Sequence, residues 1–305
     1  MPARQMLVVS HTGREDSLDA AITVCRQLAE AKIVAVLKAD ELADIRAKAP
    51  DLELRDLDDV SVDSIELVIV LGGDGTILRA AEVVRGTSVA LLGVNLGHVG
   101  FLAESERDNL AETVRRAVAR DYEVEERMTL GVRVKVADEV VYETWALNEA
   151  TVEKASRERM LEVVIEVDGR PLSSFGCDGI VMSTPTGSTA YSFSAGGPVV
   201  WPSLEAMLLV PLSAHALFAR PLVVGPDSVF AVEVLARNQG TGVLWCDGLP
   251  THELAPGSRV VVRKSSIPVR LARLHHGPFT DRLVNKFSLP TNGWRGPAAG
   301  ELPNL

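Results

Sequence analysis

A single carboxylate stands among glycines in the stretch Gly72–Gly73–Asp74–Gly75–Thr76. Glycines allow backbone conformations that side chains forbid and let a ligand lie against the main chain, and the free N–H groups at a helix start attract phosphate. A carboxylate repels phosphate unless it binds a metal, orients a hydroxyl or accepts a proton from one. The stretch therefore indicates chemistry on a hydroxyl beside a phosphate, and a strand-to-helix turn with an Asp cap is the alternative.

A second stretch, Asp178–Pro198, is dense in hydroxyl groups and glycines and contains Tyr191. Hydroxyls suit sugar and phosphate oxygens, and an aromatic side chain can stack on a ring. About 15 residues without a regular apolar pattern inside a compact domain are usually functional or disordered, and Pro185 and Phe193 argue against disorder. The alternative is a cluster of β-turns. The pair Asn148–Glu149 could read the donors and acceptors of a ribose or an adenine edge, or form an ordinary strand-end turn.

The apolar pattern around the glycine turn predicts alternating strands and helices. The predicted strands are Met6–Ser10, Ile33–Leu37, Ile65–Leu71 and Val89–Val94, and the predicted helices are Asp16–Ala31, Asp40–Ala49, Thr76–Val84 and Arg107–Arg120. The acidic segment Asp51–Asp63 is predicted to be an exposed connection. This alternation predicts a doubly wound, Rossmann-like parallel sheet whose ligands bind at the carboxyl ends of its strands, where the glycine turn and Asn95–Phe101 would lie.

From about Tyr122 the chain changes to short β-branched runs bounded by turn residues, which predict an all-β, β-sandwich-like domain. The predicted strands are Leu130–Val136, Val140–Leu147, Leu161–Val167, Gly179–Ser183, Val229–Leu235, Val243–Trp245 and Arg259–Arg263. Only Ser203–Leu209 is predicted to be briefly helical, and Phe279–Leu289 could be helix or strand. The expected organisation is an α/β domain at 1–124, an all-β domain at 125–278, a tail at 279–295 that returns to the first domain, and a disordered end at 296–305.

Composition excludes several classes of function. The net charge of −10 opposes non-specific nucleic-acid binding. The chain has neither an apolar run of about 18 residues nor a signal-peptide pattern, so we expect a cytoplasmic protein without a membrane partner. The three cysteines are few, widely spaced and odd in number, which predicts core residues rather than a disulfide framework or a zinc site. We predict no metal site built from protein ligands.

Together these segments resemble the bacterial NAD kinases, which phosphorylate the 2′-hydroxyl of the adenosine ribose of NAD to give NADP. GGDGT alone is shared with diacylglycerol and sphingoid lipid kinases. The specific combination is GGDGT at Gly72–Thr76, NLGHVGFL at Asn95–Leu102, LNE at Leu147–Glu149 and DGIVMSTPTGSTAYSFSAGGP at Asp178–Pro198. PLSAHALFARPLVV at Pro211–Val224 and CDG at Cys246–Gly248 also resemble segments of the family. PFTDRLVNKF at Pro278–Phe287 and GW at Gly293–Trp294 resemble the mycobacterial and related actinobacterial enzymes.

The resemblance implies Asp74 as the catalytic base acting on the 2′-hydroxyl. It implies a phosphate and ATP site formed by Gly72, Gly73, Gly75, Thr76 and Arg79. The implied NAD-binding residues are Asp74, Gly75, Phe101, Asn148, Glu149, Arg159, Asp178, Thr189, Ala190, Tyr191, Ser192 and Ser194. The chain departs from the family pattern at Leu249, where many relatives have glutamine, and at Ala214–His215–Ala216, where a PHT-like stretch is usual.

The same resemblance implies Mg²⁺ or another divalent cation with ATP, NAD as the substrate, and a homodimer or homotetramer. ATP and inorganic polyphosphate both remain open as phosphoryl donors. Two other functions remain open as well: a lipid kinase that shares the GGDGT turn, and a non-catalytic sensor of NAD(P). A dehydrogenase is disfavoured because no GxGxxG motif follows the first strand.

Overall fold

The computed structural model describes residues 3–291 except 12–13, 98–99, 107–108, 218 and 275–276. Predictions for Gly293–Trp294 and for the tail at 296–305 therefore lie outside the described residues. The chain forms two compact units, one of Met1–Glu125 with Arg270–Leu305 and one of Glu126–Val269. None of the helices in the described part of the chain is long and apolar enough to cross a membrane.

The described elements alternate between helix and strand in the first unit and are almost all strands in the second. The helices are α1 (Glu15–Glu30), α2 (Ala39–Lys48), α3 (Asp74–Val83), α4 (Leu110–Ala119), α5 (Tyr191–Ser194) and α6 (Phe279–Phe287). The strands are β1 (Gln5–Val9), β2 (Val34–Leu37), β3 (Leu54–Asp56), β4 (Leu67–Leu71), β5 (Ala90–Asn95), β6 (Ser105–Glu106), β7 (Glu123–Arg127), β8 (Leu130–Val136), β9 (Glu139–Ala146), β10 (Glu149–Lys154), β11 (Leu161–Val167), β12 (Arg170–Cys177), β13 (Gly179–Ser183), β14 (Met207–Leu212), β15 (Leu222–Val224), β16 (Val229–Val234), β17 (Gly242–Cys246), β18 (Leu249–Leu254), β19 (Arg259–Lys264) and β20 (Val269–Arg273).

The first unit is built on an eight-stranded sheet with the order β3-β2-β1-β4-β5-β20-β7, and β6 pairs with β5. The pairs from β3 to β5 are parallel. All five residues of β4 are buried, as expected for a parallel strand with both faces covered. Helix α1 covers the sheet with residues such as Leu18, Cys25 and Leu28. The predicted doubly wound α/β fold is confirmed.

The second unit is a β-sandwich of two six-stranded sheets, in the orders β15-β14-β13-β10-β17-β18 and β12-β11-β16-β19-β8-β9. Along β8, Leu130, Val132 and Val134 are buried and alternate with partly exposed residues. They share one apolar core with residues of the other sheet, including Ile180 and Met182. This inward and outward alternation is typical of two antiparallel sheets packed face to face. The predicted β-sandwich is therefore confirmed.

Two local predictions are wrong. The acidic segment Asp51–Asp63 contains β3, which pairs with β2 in parallel through Leu54. The acidic pattern did not indicate this strand, because a three-residue edge strand needs only one buried side chain. Ser203–Leu209 is not helical: β14 begins at Met207 and pairs antiparallel with β13. A short apolar run fits a buried strand and a buried helix equally well, so periodicity could not separate them.

The chain returns to the first unit after the sandwich. The all-β domain is predicted to extend to 278, whereas β20 pairs with β5 in the parallel sheet through Leu271 and Leu91. Helix α6 follows, and the rings of Phe279 and Phe287 pack on Phe101 with centroids 6.0 and 5.8 Å from its ring. All three cysteines are buried and free, as predicted for core residues.

Candidate active site

The glycine turn joins the buried strand β4 to helix α3. Gly72 has a φ of +155°, and a Cβ there would lie 2.5 Å from Thr76 Oγ1, so only glycine fits. Its N–H donates to the Val94 carbonyl across the sheet at 2.9 Å. Gly73 precedes the first helical residue, which is Asp74. The turn therefore presents a carboxylate and the start of a helix at the carboxyl edge of the sheet.

The Asp74 carboxylate is held by two main-chain amides of the segment that follows β5. Oδ2 accepts the N–H of Phe101 at 3.0 Å and Oδ1 accepts the N–H of Leu102 at 3.1 Å. A Cβ at Gly100 would lie 2.4 Å from Oδ1, so the last glycine of NLGHVGFL leaves the space that the carboxylate occupies. The two amides fix the direction of the carboxylate before any substrate arrives.

Phe101, which the resemblance implies for the NAD site, has a buried side chain. The side chain is 8% exposed and packs against Phe279 and Phe287. Its main-chain N–H is the group that reaches Asp74. The aromatic ring thus anchors the segment, and the backbone makes the contact with the candidate catalytic residue.

Arg79 is the exposed cation of helix α3 near the glycine turn. Its guanidinium donates to Thr76 Oγ1 at 3.4 Å, which places a positive charge one turn from the helix start. Helix N-termini and cations together favour a bound phosphate. The predicted phosphate-binding set, Gly72, Gly73, Gly75, Thr76 and Arg79, therefore lies on one turn and the first helical turns after it.

Ser10 and Glu41 form a buried polar pair at the same edge that the motifs did not indicate. Ser10 follows β1, and its N–H donates to Glu41 Oε1 at 2.9 Å. Burial raises the pKa of Glu41 to about 7, against the opposing effects of the Ser10 N–H, Lys38 and Arg79. Ser10 comes directly after a central strand, and Glu41 lies in the first turn of a helix. These positions are the sequence signal that could have identified the pair.

In the second unit the Asn148 turn is organised by Asp247, a residue about 100 positions away. The Asp247 carboxylate accepts the N–H groups of Leu147 at 2.7 Å, Asn148 at 2.7 Å and Glu149 at 3.2 Å. Asp247 has a φ of +51° in the turn between β17 and β18, a conformation that Asp tolerates better than most residues. The CDG segment therefore supports the LNE segment directly.

Glu149 is a buried carboxyl group beside a second acid. Its side chain is 7% exposed, and within the described residues Oε2 has no hydrogen-bond partner. Burial, together with the charge of Asp247, raises its pKa to about 8, and a hydrogen bond from the Tyr191 main chain opposes the shift. The group is therefore neutral at pH 7 and can donate a hydrogen bond as well as accept one.

The hydroxyl-rich stretch packs on the main chain of Asn148. Thr184 donates from Oγ1 to the Leu147 carbonyl at 2.6 Å and from its N–H to the Asn148 carbonyl at 2.9 Å. A Cβ at Gly187 would lie 2.0 Å from that same carbonyl oxygen. The stretch then forms a 3₁₀ turn at Thr186–Thr189 and the short helix α5. Several of its hydroxyls thus have structural partners.

The remaining predicted residues differ in what they offer a ligand. Tyr191 and Ser194 are exposed and Thr189 and Ala190 are half-buried, whereas Ser192 is fully buried. Asp178 lies at the start of β13, whose other end pairs with Glu149, about 16 Å away at ~3.3 Å per residue. It forms an ion pair with Lys154 at 2.5 Å. Arg159 donates to Gln239 Oε1 at 2.7 Å. The structure brings neither Asp178 nor Arg159 to the Asn148 turn.

Family models match both units. The ATP-NAD kinase N-terminal domain matches residues 6–122, and the ATP-NAD kinase C-terminal domain matches residues 147–274. The chain belongs to the NAD kinase family. The resemblance drawn from the motifs is confirmed, and the alternative of a lipid kinase is excluded by it.

Similar NAD kinases extend over almost the whole chain. The NAD kinase of Leifsonia xyli is 70% identical over 96% of this chain and 97% of its own. NAD kinase 2 of Streptomyces coelicolor is 58% identical over 96% and 97%, and the NAD kinase of Mycobacterium bovis is 48% identical over 96% and 98%. The similarity to actinobacterial NAD kinases thus includes both units.

Two solved structures share the fold. Yeast NADH kinase in complex with NADH has a TM-score of 0.85 at 21% identity and matches 95% of this chain and 89% of that chain. The NAD kinase of Archaeoglobus fulgidus in complex with ATP has a TM-score of 0.66 at 25% identity and matches 93% and 97%. The fold is therefore that of the NAD kinases.

Proposed function

We propose that this NAD kinase transfers the terminal phosphoryl group of ATP, or of inorganic polyphosphate, to the 2′-hydroxyl of the adenosine ribose of NAD, giving NADP. The observation that carries this proposal is the Asp74 carboxylate, held by the Phe101 and Leu102 amides beside a glycine turn and a helix start. The solved complex of a related NAD kinase with ATP supports ATP as a donor. We also propose that the enzyme acts in the cytoplasm.

In the proposed reaction the ribose 2′-oxygen attacks the terminal phosphorus. A new P–O bond forms as the bond to the bridging oxygen breaks, ADP or the shortened polyphosphate leaves, and the hydroxyl proton passes to Asp74. The glycine turn and Arg79 offset the charge of the phosphates. Positioning and charge neutralisation supply most of the rate in phosphoryl transfer, with proton removal contributing less.

We propose that a divalent cation, Mg²⁺ or a similar ion, enters with the phosphates of the donor. Within the described residues, no three His, Cys, Asp or Glu side chains are grouped so as to hold a metal ion. A cation carried by phosphate oxygens fits such a chain, because Mg²⁺ is commonly bound through substrate phosphates and one or two carboxylates. The cation would neutralise charge that develops on the transferred group.

For NAD we propose binding by Asn148, by the neutral carboxyl of Glu149 and by the exposed end of the hydroxyl-rich stretch, from Thr189 to Ser194. Asp178 and Arg159 lie away from the Asn148 turn, so we propose that they act on NAD bound to a neighbouring copy of the chain. This arrangement would require a homodimer or homotetramer. Phe101 and Ser192 would support the site from the interior.

The test of the proposed function is Asp74→Asn, assayed for NADP formation from NAD. We expect kcat to fall by about 10²- to 10⁴-fold, because a positioned general base contributes roughly that factor, while NAD binding measured by titration stays within a few-fold. Asp63→Asn, an exposed acid of the same unit, is the control. Unchanged turnover in Asp74→Asn would refute the assignment of the base.

A comparison of donors completes the test. Wild-type enzyme is incubated with NAD and either ATP or polyphosphate, with Mg²⁺ present, and NADP is quantified. Formation of NADP with either donor supports the proposed reaction and identifies the donor. If the wild type binds NAD and makes no NADP with either donor, the proposed function is wrong.

A further inference from the structure

Residues 101–104 form an irregular segment whose main-chain groups are bonded on both sides. On one side the N–H groups of Phe101 and Leu102 donate to Asp74. On the other side the carbonyl groups of residues 101–103 accept hydrogen bonds from the guanidinium groups of Arg273 and Arg282. The segment thus lies between the candidate catalytic carboxylate and two cations.

Arg282, on helix α6, makes most of the contacts on the far side. Its Nη1 donates to the carbonyls of Phe101 at 3.0 Å and Ala103 at 3.1 Å, and its Nη2 donates to Glu104 Oε2 at 2.8 Å. One planar guanidinium therefore spans the whole segment. Lysine would replace it only in part, because an ammonium group keeps the charge but is a point donor without the fixed fork of arginine.

Glu104 ends the segment and is almost inaccessible, with its side chain 2% exposed. It also accepts a hydrogen bond from Arg273 at 3.0 Å and from the Leu274 N–H at 3.1 Å. Its own N–H donates to the Gly93 carbonyl of β5 at 2.8 Å. A buried carboxylate with these partners holds the end of the segment to the sheet, and Arg282 bridges the carbonyl groups of Phe101 and Ala103 that precede it.

The apolar face of α6 packs against the same segment. The Phe101 ring contacts Phe279 and Phe287, which lie at the two ends of the helix. Aromatic contacts at these separations stabilise the packing beyond the contribution of the buried area alone. Helix α6 therefore holds the segment in two ways: Phe279 and Phe287 pack on the Phe101 ring, and Arg282 donates to the Phe101 and Ala103 carbonyls.

We propose that Arg282 is a positioning residue for phosphoryl transfer, which holds residues 101–103 from the side opposite Asp74 and thereby sets the direction of the catalytic carboxylate. The proposal rests on the proposed function of Asp74. Without Arg282 the Phe101 and Ala103 carbonyls lose their donor, and the amides that hold Asp74 can shift. A displacement of about 1 Å in a reacting group can lower the rate by roughly 100-fold.

The experiment compares Arg282→Gln and Arg282→Lys with Lys286→Gln, which removes an exposed cation from the same helix. We expect kcat to fall by about 10- to 100-fold in Arg282→Gln and by less in Arg282→Lys, which keeps the charge. KM for the phosphoryl donor should stay within a few-fold. Lys286→Gln should behave like the wild type. If Arg282→Gln does not fold, Arg282→Lys carries the same comparison.

A double variant distinguishes positioning from general support of the fold. If Arg282 acts through Asp74, Arg282→Gln lowers the residual rate of Asp74→Asn by less than about two-fold, because coupled residues are not additive. The same fold-loss in both backgrounds would overturn the proposal. The Phe101 and Leu102 amides donate to Asp74. Their hydrogen exchange should be faster in Arg282→Gln than in Lys286→Gln.

The outcomes separate this proposal from the function on which it rests. A wild type that makes no NADP refutes the proposed function, and the exchange of the two amides still shows whether Arg282 holds the segment. A wild type that makes NADP together with an Arg282→Gln variant of equal kcat and equal amide exchange overturns the role of Arg282 alone.

Discussion

Asp247 shows how a single carboxylate can organise a turn through the main-chain groups of that turn. It accepts three consecutive main-chain N–H groups, and its own N–H donates to the Glu149 carbonyl at 3.0 Å. Buried main-chain groups that lose such partners cost free energy. The residue therefore determines the shape of the Asn148 turn, and its charge helps to keep Glu149 neutral.

We expect Asp247→Asn to raise KM for NAD by about 10-fold and to lower the free energy of unfolding by ~1–3 kcal/mol, since an amide has only one oxygen to accept these N–H groups. Steady-state kinetics and urea unfolding measure the two effects.

The matched control is Asp168→Asn. Asp168 also has a positive φ, of 54°, and accepts the Val229 N–H at 2.8 Å in the same unit. The Asp168→Asn variant should have a lower free energy of unfolding and an unchanged KM for NAD. Equal effects of the two substitutions on KM would contradict the role of Asp247.

At the level of single residues, the sequence identified Asp74, Asn148 and Glu149 as candidates because their types and neighbours are unusual. It did not identify Asp247 as the support of Asn148 and Glu149, since the contact spans about 100 positions and no spacing rule connects such residues. Nor could it separate hydroxyls that serve the fold from those open to a ligand. Thr184 bonds to the Leu147 carbonyl, and composition alone treats it like its neighbours.

Elements with strong periodicity were predicted to the residue. Leu130–Val136, Leu161–Val167 and Gly179–Ser183 coincide with β8, β11 and β13. One buried face imposes a period of two on β8 and β11, and burial of every residue of β13 goes with a nearly continuous apolar run. β3 and β14 were not predicted. The pairing of each with a neighbouring strand is a tertiary effect that outweighs weak local pattern.

The hydroxyl-rich stretch is an irregular element whose path depends on close packing at Gly187. We expect Gly187→Ala to lower the free energy of unfolding by ~1–3 kcal/mol, since a methyl group 2.0 Å from the Asn148 oxygen must displace main chain. KM for NAD should rise as the Asn148 turn moves.

Gly240→Ala is the control in the same unit, because a Cβ there meets no atom within 4 Å. Chemical unfolding and initial-rate kinetics of both variants make the comparison. If Gly187→Ala matches Gly240→Ala in stability and in KM, the stretch does not depend on that contact.

At the scale of the whole molecule, two separate cores carry the fold, and ionisation of buried acids links its stability to pH. Glu41 has a folded pKa of about 7 against an ordinary value of 4.5. Between these values the native state holds a proton that the unfolded chain releases, so the stabilisation is present below about pH 4.5 and is lost as pH rises through 7. Glu149 acts in the same direction up to about pH 8.

We therefore expect the free energy of unfolding to fall between pH 5 and 7, with Glu41 contributing a slope of up to ~1.4 kcal/mol per pH unit. In Glu41→Gln, which cannot ionise and can still accept the Ser10 N–H, the slope should be shallower by that amount. Urea unfolding at pH 5, 6 and 7 measures it. A slope that is the same in both proteins would show that Glu41 does not hold a proton in the native state.

The three buried thiols make each unit report on its own opening. Cys25 belongs to the first unit, and Cys177 and Cys246 belong to the second. Burial raises the pKa of Cys25 and of Cys177 to about 12, so neither forms the reactive thiolate in the closed state. Thiol-alkylating reagents can therefore modify Cys25 and Cys177 only during transient opening of the native structure. Peptide mass spectrometry that locates the label on Cys25 or on Cys177 would record which unit had opened.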